Sequence, residues 1–369
     1  MGDSINAFLS LVRAGLWDKD VQLAPYSGID YSNILDLATE QSLIGLVSAG
    51  LEKVRDVQIP RDELLQFIGQ TLKIEQRNKA MNAFIRSLIS KLRMADIYTI
   101  LVKGQGIAQC YLKPEWRSCG DVDLFLSEDN YAKAKEMLVP LASTVENEYE
   151  REKHLAMTIN GWVVELHGHL YTGLSSRIEK ELDDVLQDTF YKGNVRFWSN
   201  SGVQVFQLGI ENDVFYVFTH ILQHFYKEGV GLRQVCDWCR LMWTYDGKMD
   251  VEKLKLRINR AGIMSEWRAF YTLASKYLGM PDLDSEFLTY DSRYDRKADR
   301  IMKFVLQSGN MGHNRDSDYM NYPYVVRKFF SLGRRIGDLF RHARIFPLDS
   351  LRFSFPIMWN GVRSVMRCE

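Results

Sequence analysis

The sequence predicts an α+β protein, in which a sheet lies between an N-terminal helical region and a C-terminal helical domain. Three observations carry this: apolar residues at helical spacing up to about Ala95, a change to period two between about 98 and 208, and a return of the helical period beyond Glu211. The boundaries read as 1–97, 98–210 and 211–369. With 369 residues, 46% of them apolar and 25% charged, the chain can fill two or three packed domains, and disorder is excluded. Forty-seven basic residues balance forty-seven acidic ones. No global field is available to condense the chain on nucleic acid or an anionic bilayer, so a long nucleic-acid partner is not expected.

The elements follow in order. Phe8, Leu9, Val12 and Leu16 form one helical stripe, Ile34, Leu35, Leu37 and Ala38 a second, and Phe84, Ile85, Leu88 and Leu92 a third. Tyr98 to Val102 is a short apolar run that ends at Lys103-Gly104-Gln105-Gly106. Asp121 to Leu126 begins by alternating carboxylate and aliphatic residues. Leu155 to His167 holds two alternating runs joined by Asn160-Gly161, the strongest short hairpin signal, because both central residues of a type I′ turn need positive φ. Helical spacing then resumes through Val214–Tyr226, Leu232–Trp243, Trp267–Leu278 and Ala298–Leu306. No apolar run approaches the roughly twenty residues that cross a bilayer, and the first residues lack a basic and then apolar leader, so a cytoplasmic protein is expected. Five cysteines, at 110, 119, 236, 239 and 368, lack paired spacing and read as reduced thiols.

Period two puts Asp121 and Asp123 on one strand face, with Val122, Leu124 and Leu126 on the core face. At about 4 Å and an effective dielectric of about 20, two such carboxylates repel by on the order of 4 kcal/mol. A positive group should sit between them, and oxygen ligands on a rigid strand suit Mg²⁺. Neutralising either aspartate should then leave thermal stability unchanged or raised. An edge strand showing both aspartates to water is the plain alternative. The Asn160-Gly161 turn sets the register Ile159 with Trp162, Met157 with Val164, Ala156 with Glu165 and His154 with His167. One hairpin face is then apolar, and the other gathers His154, Thr158, Glu165 and His167 around a small residue, Ala156. The two imidazoles could donate to a phosphate or to the carboxylate. Strand, Lys103-Gly104-Gln105 turn and helix start together make an anion site, with Lys103 adding a point charge.

Taken together, Lys103-Gly104, Arg117 ahead of Asp121-Val122-Asp123-Leu124, and Val163-Val164-Glu165-Leu166-His167 resemble the polymerase-β-like nucleotidyltransferases. They are most similar to a sparsely characterised bacterial group with the motifs Lys-Gly, a tyrosine, Arg, Asp-Ile-Asp-Leu and Val-Glu-Leu-His. The similarity covers most of the chain, including the helical lead-in and Leu232 to Asp237. It implies a mixed-sheet palm with flanking helices, in which Asp121, Asp123 and Glu165 are catalytic and hold two Mg²⁺ ions, with Mn²⁺ as the alternative metal. Glu165 would complete the metal position nearest the attacking hydroxyl. Lys103, Gly104, Gln105, Arg117 and His167 would bind the nucleotide. The family usually has Gly-Ser where this chain has Lys103-Gly104, so Lys103 or the Gln105 amide would replace the missing hydroxyl. The implied reaction moves an NMP group from an NTP, ATP in the first place, to a hydroxyl of a small molecule, sugar or protein. A non-catalytic nucleotide-binding module, and a toxin–antitoxin component that nucleotidylates protein or RNA, are the alternatives.

Other signals are weaker. His220 and His224 are one helical turn apart, but Ile221 stands where a zinc protease needs Glu. Cys236 and Cys239 read as core residues, Arg233 and Asp237 as an i,i+4 ion pair, and Arg117 as either a triphosphate contact or a salt bridge. The basic stretch 327–345, with Phe329, Leu332, Ile336, Leu339 and Phe340 on one stripe, reads as a helix docked on its own protein, or on a membrane surface or acidic partner.

Overall fold

A computed structural model of the chain describes residues 2–149, 153–310, 333 and 336–366, with side chains as far as 357. The helical lead-in comprises α1 (Asp3–Trp17), α2 (Tyr31–Glu40), α3 (Ile44–Leu51) and the long α4 (Arg61–Met94). The sheet is built from β1 (Ile100–Val102), β2 (Asp121–Phe125), β3 (Thr144–Val145), β4 (His154–Ile159), β5 (Trp162–His167), β6 (Val195–Asn200) and β7 (Val203–Leu208). Between its strands lie α5 (Gly104–Ala108), α6 (Glu128–Leu138) and α7 (Ser176–Phe190). After it come α8 (Ile210–Lys227), α9 (Leu232–Thr244), α10 (Val251–Ala261), α11 (Met264–Leu278), α12 (Asp295–Ser308) and a final helix, Pro347–Met366. Among the described residues no helix is long and apolar enough to cross a membrane.

The strand order is β3-β4-β5-β2-β1-β7-β6. It is a mixed sheet: β2 runs parallel to β5 and β1 parallel to β7, while the remaining pairs are antiparallel. Alternation decides what each face does. Val122, Leu124, Met157, Ile159, Val164 and Leu166 bury against Met81, Ile85, Leu88 and Leu92 of α4 and against Tyr131, Ala134 and Leu138 of α6. The other face, with Ile100, Val102 and Phe125, joins the larger core made by the lead-in and the C-terminal helices. That core is shared: Arg240 of α9 donates to the carbonyls of Cys110 and Leu16, and the Gln41 amide at the end of α2 spans Val305 and Leu232. Both C-x-x-C cysteines, 236 and 239, are fully buried in it, as their helical context implied.

The hairpin register is the one the turn chemistry dictates, with His154 opposite His167 and Ala156 opposite Glu165. Asn160 (φ 52°) and Gly161 (φ 80°) form the turn. A Cβ on Gly161 would meet nothing within 4 Å, so Gly161→Ala should cost only the left-handed backbone penalty of about 1–2 kcal/mol. Urea denaturation of the variant checks this.

The sequence reading did not resolve α6, α7, α10 or the β6–β7 hairpin, all of which the structure contains. Of the basic stretch 327–345, residues 327–332, 334 and 335 lie outside the described residues. Of the stripe's described residues, Ile336 and Phe340 are exposed and Leu339 is half-buried, while His342 and Ile345 nearby are buried.

Candidate active site

Parallel pairing of β2 and β5 is what assembles the site. It sets Asp121 beside Val163, Asp123 beside Glu165 and Phe125 beside His167. Because side chains alternate, Asp121, Asp123, Glu165 and His167 project from one face, and the antiparallel partner β4 adds His154 next to them. One carboxylate oxygen from each of Asp121, Asp123 and Glu165 lies within 4.8 Å of the others. Asp123 is 2% exposed and Asp121 is half-buried. Three hard oxygen donors held this close on two rigid strands fit a divalent cation such as Mg²⁺ or Mn²⁺.

Lys103 supplies the positive group that the repulsion argument demands. Its Nζ lies 2.7 Å from Asp123 Oδ1 and 3.5 Å from His220 Nε2 on α8. The backbone takes the strained conformation φ 56°, ψ −144° at Lys103, followed by φ 38° at Gly104, and this folds the long side chain back over the strand face. Gly104 is also tightly packed, since a Cβ there would stand 3.1 Å from Cys119 Sγ. Burial works against the Lys103 ammonium, but the charges of Asp123 and the other carboxylates outweigh it and raise its pKa well above that of a free lysine.

The remaining charges respond as a coupled set. The Asp121 carboxyl is raised above its ordinary value, first by the neighbouring Asp123 charge and then by burial. Burial also disfavours ionised Glu165, yet hydrogen bonds from His154 and His167 and the Lys103 charge hold it well below the usual carboxylate range. His154 Nε2 lies 3.2 Å from Glu165 Oε2, and His167 Nε2 lies 3.0 Å from Asp123 Oδ1 and 3.4 Å from Glu165 Oε2. Burial opposes the His167 imidazolium, but contacts with Asp123 and Glu165 raise its pKa. His220 is lowered well below an ordinary imidazole by burial, by Lys103 and by His224, and it stands neutral as an acceptor for the ammonium. Tyr216 stacks on it, with ring centroids 6.1 Å apart.

Not every expected residue joins this cluster. Gln105 is buried against α4, where its amide donates to Asn78 Oδ1 at 2.8 Å. Arg117 lies in a buried fork with Asp237, Nε to Oδ1 at 3.1 Å and Nη2 to Oδ2 at 2.6 Å, and Tyr111 donates to the same carboxylate. Arg233 stands 3.6 Å from Asp237, so the anticipated i,i+4 pair exists as the longer member of a triad. Losing one member of a buried pair normally costs about 3–5 kcal/mol. Since Tyr111 and Arg233 stay with Asp237, Arg117→Met is expected to cost about 2–3 kcal/mol by chemical denaturation. His220 was weighed from the sequence only as a metal ligand beside His224, and Tyr216 was not singled out. In sequence both sit on an amphipathic helix, and only the tertiary placement of α8 brings them to Lys103.

No characterised protein and no solved structure gives a significant match to the chain. Residues 27–279 match the model of a family described as uncharacterised nucleotidyltransferase. The match spans the carboxylate strands, the Lys103 turn and α8 through α10, and it covers well over half of the 369 residues. The chain is a transferase that belongs to this nucleotidyltransferase family.

Proposed function

We propose that the protein transfers a nucleoside monophosphate from an NTP, ATP in the first place, to a hydroxyl of a small molecule, sugar or protein in a Mg²⁺-dependent reaction. The observation that carries this reading is the register Asp123 with Glu165, which makes three carboxylates converge over a half-buried lysine. Asp121, Asp123 and Glu165 would hold the metal. When bound, divalent ions polarise the phosphoryl oxygens and stabilise the entering and leaving oxygens of an in-line displacement.

The chain's own residues divide the other tasks. Lys103 neutralises the carboxylates before the nucleotide arrives, and its flexible stem lets the ammonium move from Asp123 to a phosphate oxygen as the counter-charge is replaced. Gly104 keeps the backbone low enough for a phosphate to approach it. His167, on the rim of the carboxylates, keeps Asp123 and Glu165 oriented and offers an N–H to the nucleotide. Gln105 supports the turn from beneath by fixing it to Asn78. Arg117, tied to Asp237, holds the segment leading into β2. A module that only binds nucleotide has no need of three converging carboxylates, each of which repels the others.

The test is incubation with each NTP labelled at the α phosphorus, with Mg²⁺, in the presence and absence of cell extract. Label should pass to an acceptor from the α-labelled and not from the γ-labelled nucleotide. Label transferred from the γ position alone would mean phosphoryl transfer and would overturn the assignment.

A further inference from the structure

We infer that His154, Glu165 and His167 form a second, nitrogen-rich cation position beside the aspartates, which takes a borderline divalent ion (Zn²⁺ or Co²⁺) in preference to Mg²⁺. The inference rests on the reading above in one respect, that this sheet face is a metal site. It assigns the imidazoles a different part from nucleotide contact.

His154 on β4 and His167 on β5 are directly opposed in an antiparallel pair, and Glu165 is two residues along β5 on the same face. The rings stack with centroids 4.7 Å apart and planes inclined by 24°. Both therefore turn the same edge, Nε2, toward Glu165 Oε2. The three donor atoms lie within 4.8 Å of one another, on adjacent strands whose ladder fixes their spacing. The separations from Oε2 are 3.2 and 3.4 Å. A tetrahedral ion with bonds of roughly 2.0–2.1 Å to nitrogen and 2.0–2.2 Å to carboxylate oxygen sets its ligand atoms roughly 3.3–3.5 Å apart. Two of the three separations, both measured from Glu165 Oε2, therefore already stand near the spacing such an ion imposes.

Hydrogen bonding alone accounts for this arrangement less well. Two Nε2 atoms make three contacts with two carboxylates, and Glu165 Oε2 alone faces both imidazoles, one at 3.2 Å, the long end of the usual hydrogen-bond range, and one at 3.4 Å, beyond it. A cation between them would satisfy all three donors at once through their lone pairs. Donor chemistry then decides the metal: imidazole suits zinc and its neighbours, whereas Mg²⁺ is held by oxygen. Asp121 and Asp123 offer oxygen only. Glu165 stands between the two donor sets, so one carboxylate serves a hard position on one side and a borderline position on the other.

The experiment is a titration of the full-length protein with Co²⁺, followed by its visible absorption. One Co²⁺ per chain is expected to give the intense visible bands of a low-coordinate site with nitrogen ligands. Zn²⁺ should displace it at equimolar amounts, and a hundredfold excess of Mg²⁺ should not. His154→Ala should weaken Co²⁺ binding by at least about 100-fold, more than the 10–100-fold cost of losing an outer-shell partner. His154→Gln keeps a hydrogen-bond donor for Glu165 and should lose the bands equally, while Asp121→Asn should keep them. Weak octahedral bands, equal displacement by Mg²⁺, or full Co²⁺ affinity in His154→Gln would each overturn the assignment. Absent NTP labelling with intact cobalt bands would sink the transferase chemistry alone, and Mg²⁺-supported labelling without the bands would sink this inference alone.

Discussion

Asp121→Asn should lose nucleotidyl transfer by on the order of 10³-fold or more while keeping its fold, whereas Asp123→Asn should lose both activity and stability. The shared loss follows from removing one of three oxygen ligands, which costs several kcal/mol of charge stabilisation at about 1.4 kcal/mol per tenfold in rate. The stabilities diverge because the two aspartates have different partners. Asp121 is raised chiefly by repulsion from Asp123, so neutralising it relieves strain and should leave the melting temperature unchanged or higher. Asp123 accepts from Lys103 at 2.7 Å and from His167 at 3.0 Å, and its amide would strand a half-buried ammonium at a cost of about 3 kcal/mol. From the sequence alone the two aspartates were expected to behave alike, and the position of Lys103 is what separates them. The pH dependence carries a sign as well. A carboxyl whose folded pKa lies above its unfolded value favours the folded state at low pH, and that contribution is lost as pH rises from about 4 through the raised value. The stability advantage of Asp121→Asn should therefore grow with pH across that window. Equal melting temperatures for the two variants, or transfer by Asp121→Asn within tenfold of wild type, would contradict this account.

What the sequence disclosed, and what it did not, divides along the range of the interaction. The hairpin register was legible because Asn160-Gly161 admits few turn geometries and the turn fixes every pair behind it. That Val122 and Leu124 share one core face of β2, with Asp121 and Asp123 on the other, was legible because its period is two. The strand, turn and helix at Lys103 were legible because glycine punctuates them. No local rule pairs β2 with β5 in parallel, since that contact joins residues some forty positions apart; here the family resemblance supplied the expectation that Glu165 meets Asp121 and Asp123. Arg117 shows the limit of composition: a cation four residues before Asp121 suits a triphosphate equally well, and only the approach of α9 reveals Asp237 as its partner. Gln105 is similar, because its amide could turn to a ligand until α4 presents Asn78. The His220 contact with Lys103 depends on how a helix more than a hundred residues away lies over the sheet, which the amphipathic pattern of α8 does not encode.

Lys103→Met tests whether the ammonium holds the place of a metal ion. Without divalent ions the variant should lose about 3 kcal/mol, because three crowded carboxylates keep their repulsion and lose their counter-charge. Added Mg²⁺ or Mn²⁺ should then raise its melting temperature more than it raises that of the wild type. In the wild type an entering cation must first displace a half-buried ammonium from Asp123 Oδ1, whereas in the variant it meets unshielded oxygens. At an effective dielectric of about 20, a unit charge near 4 Å is worth on the order of 4 kcal/mol. Even a third of that makes metal binding about tenfold tighter, and mass action turns the gain into stability. Transfer should nonetheless fall, because the methionine has no charge to offer the phosphates once the metal is seated. Two measurements separate this from a purely structural ion pair: calorimetric metal affinity, expected to rise, and labelling at saturating metal, expected to fall. If Mg²⁺ stabilises the variant no more than the wild type, the lysine is a fixed part of the fold, and a cation does not enter where its ammonium stands.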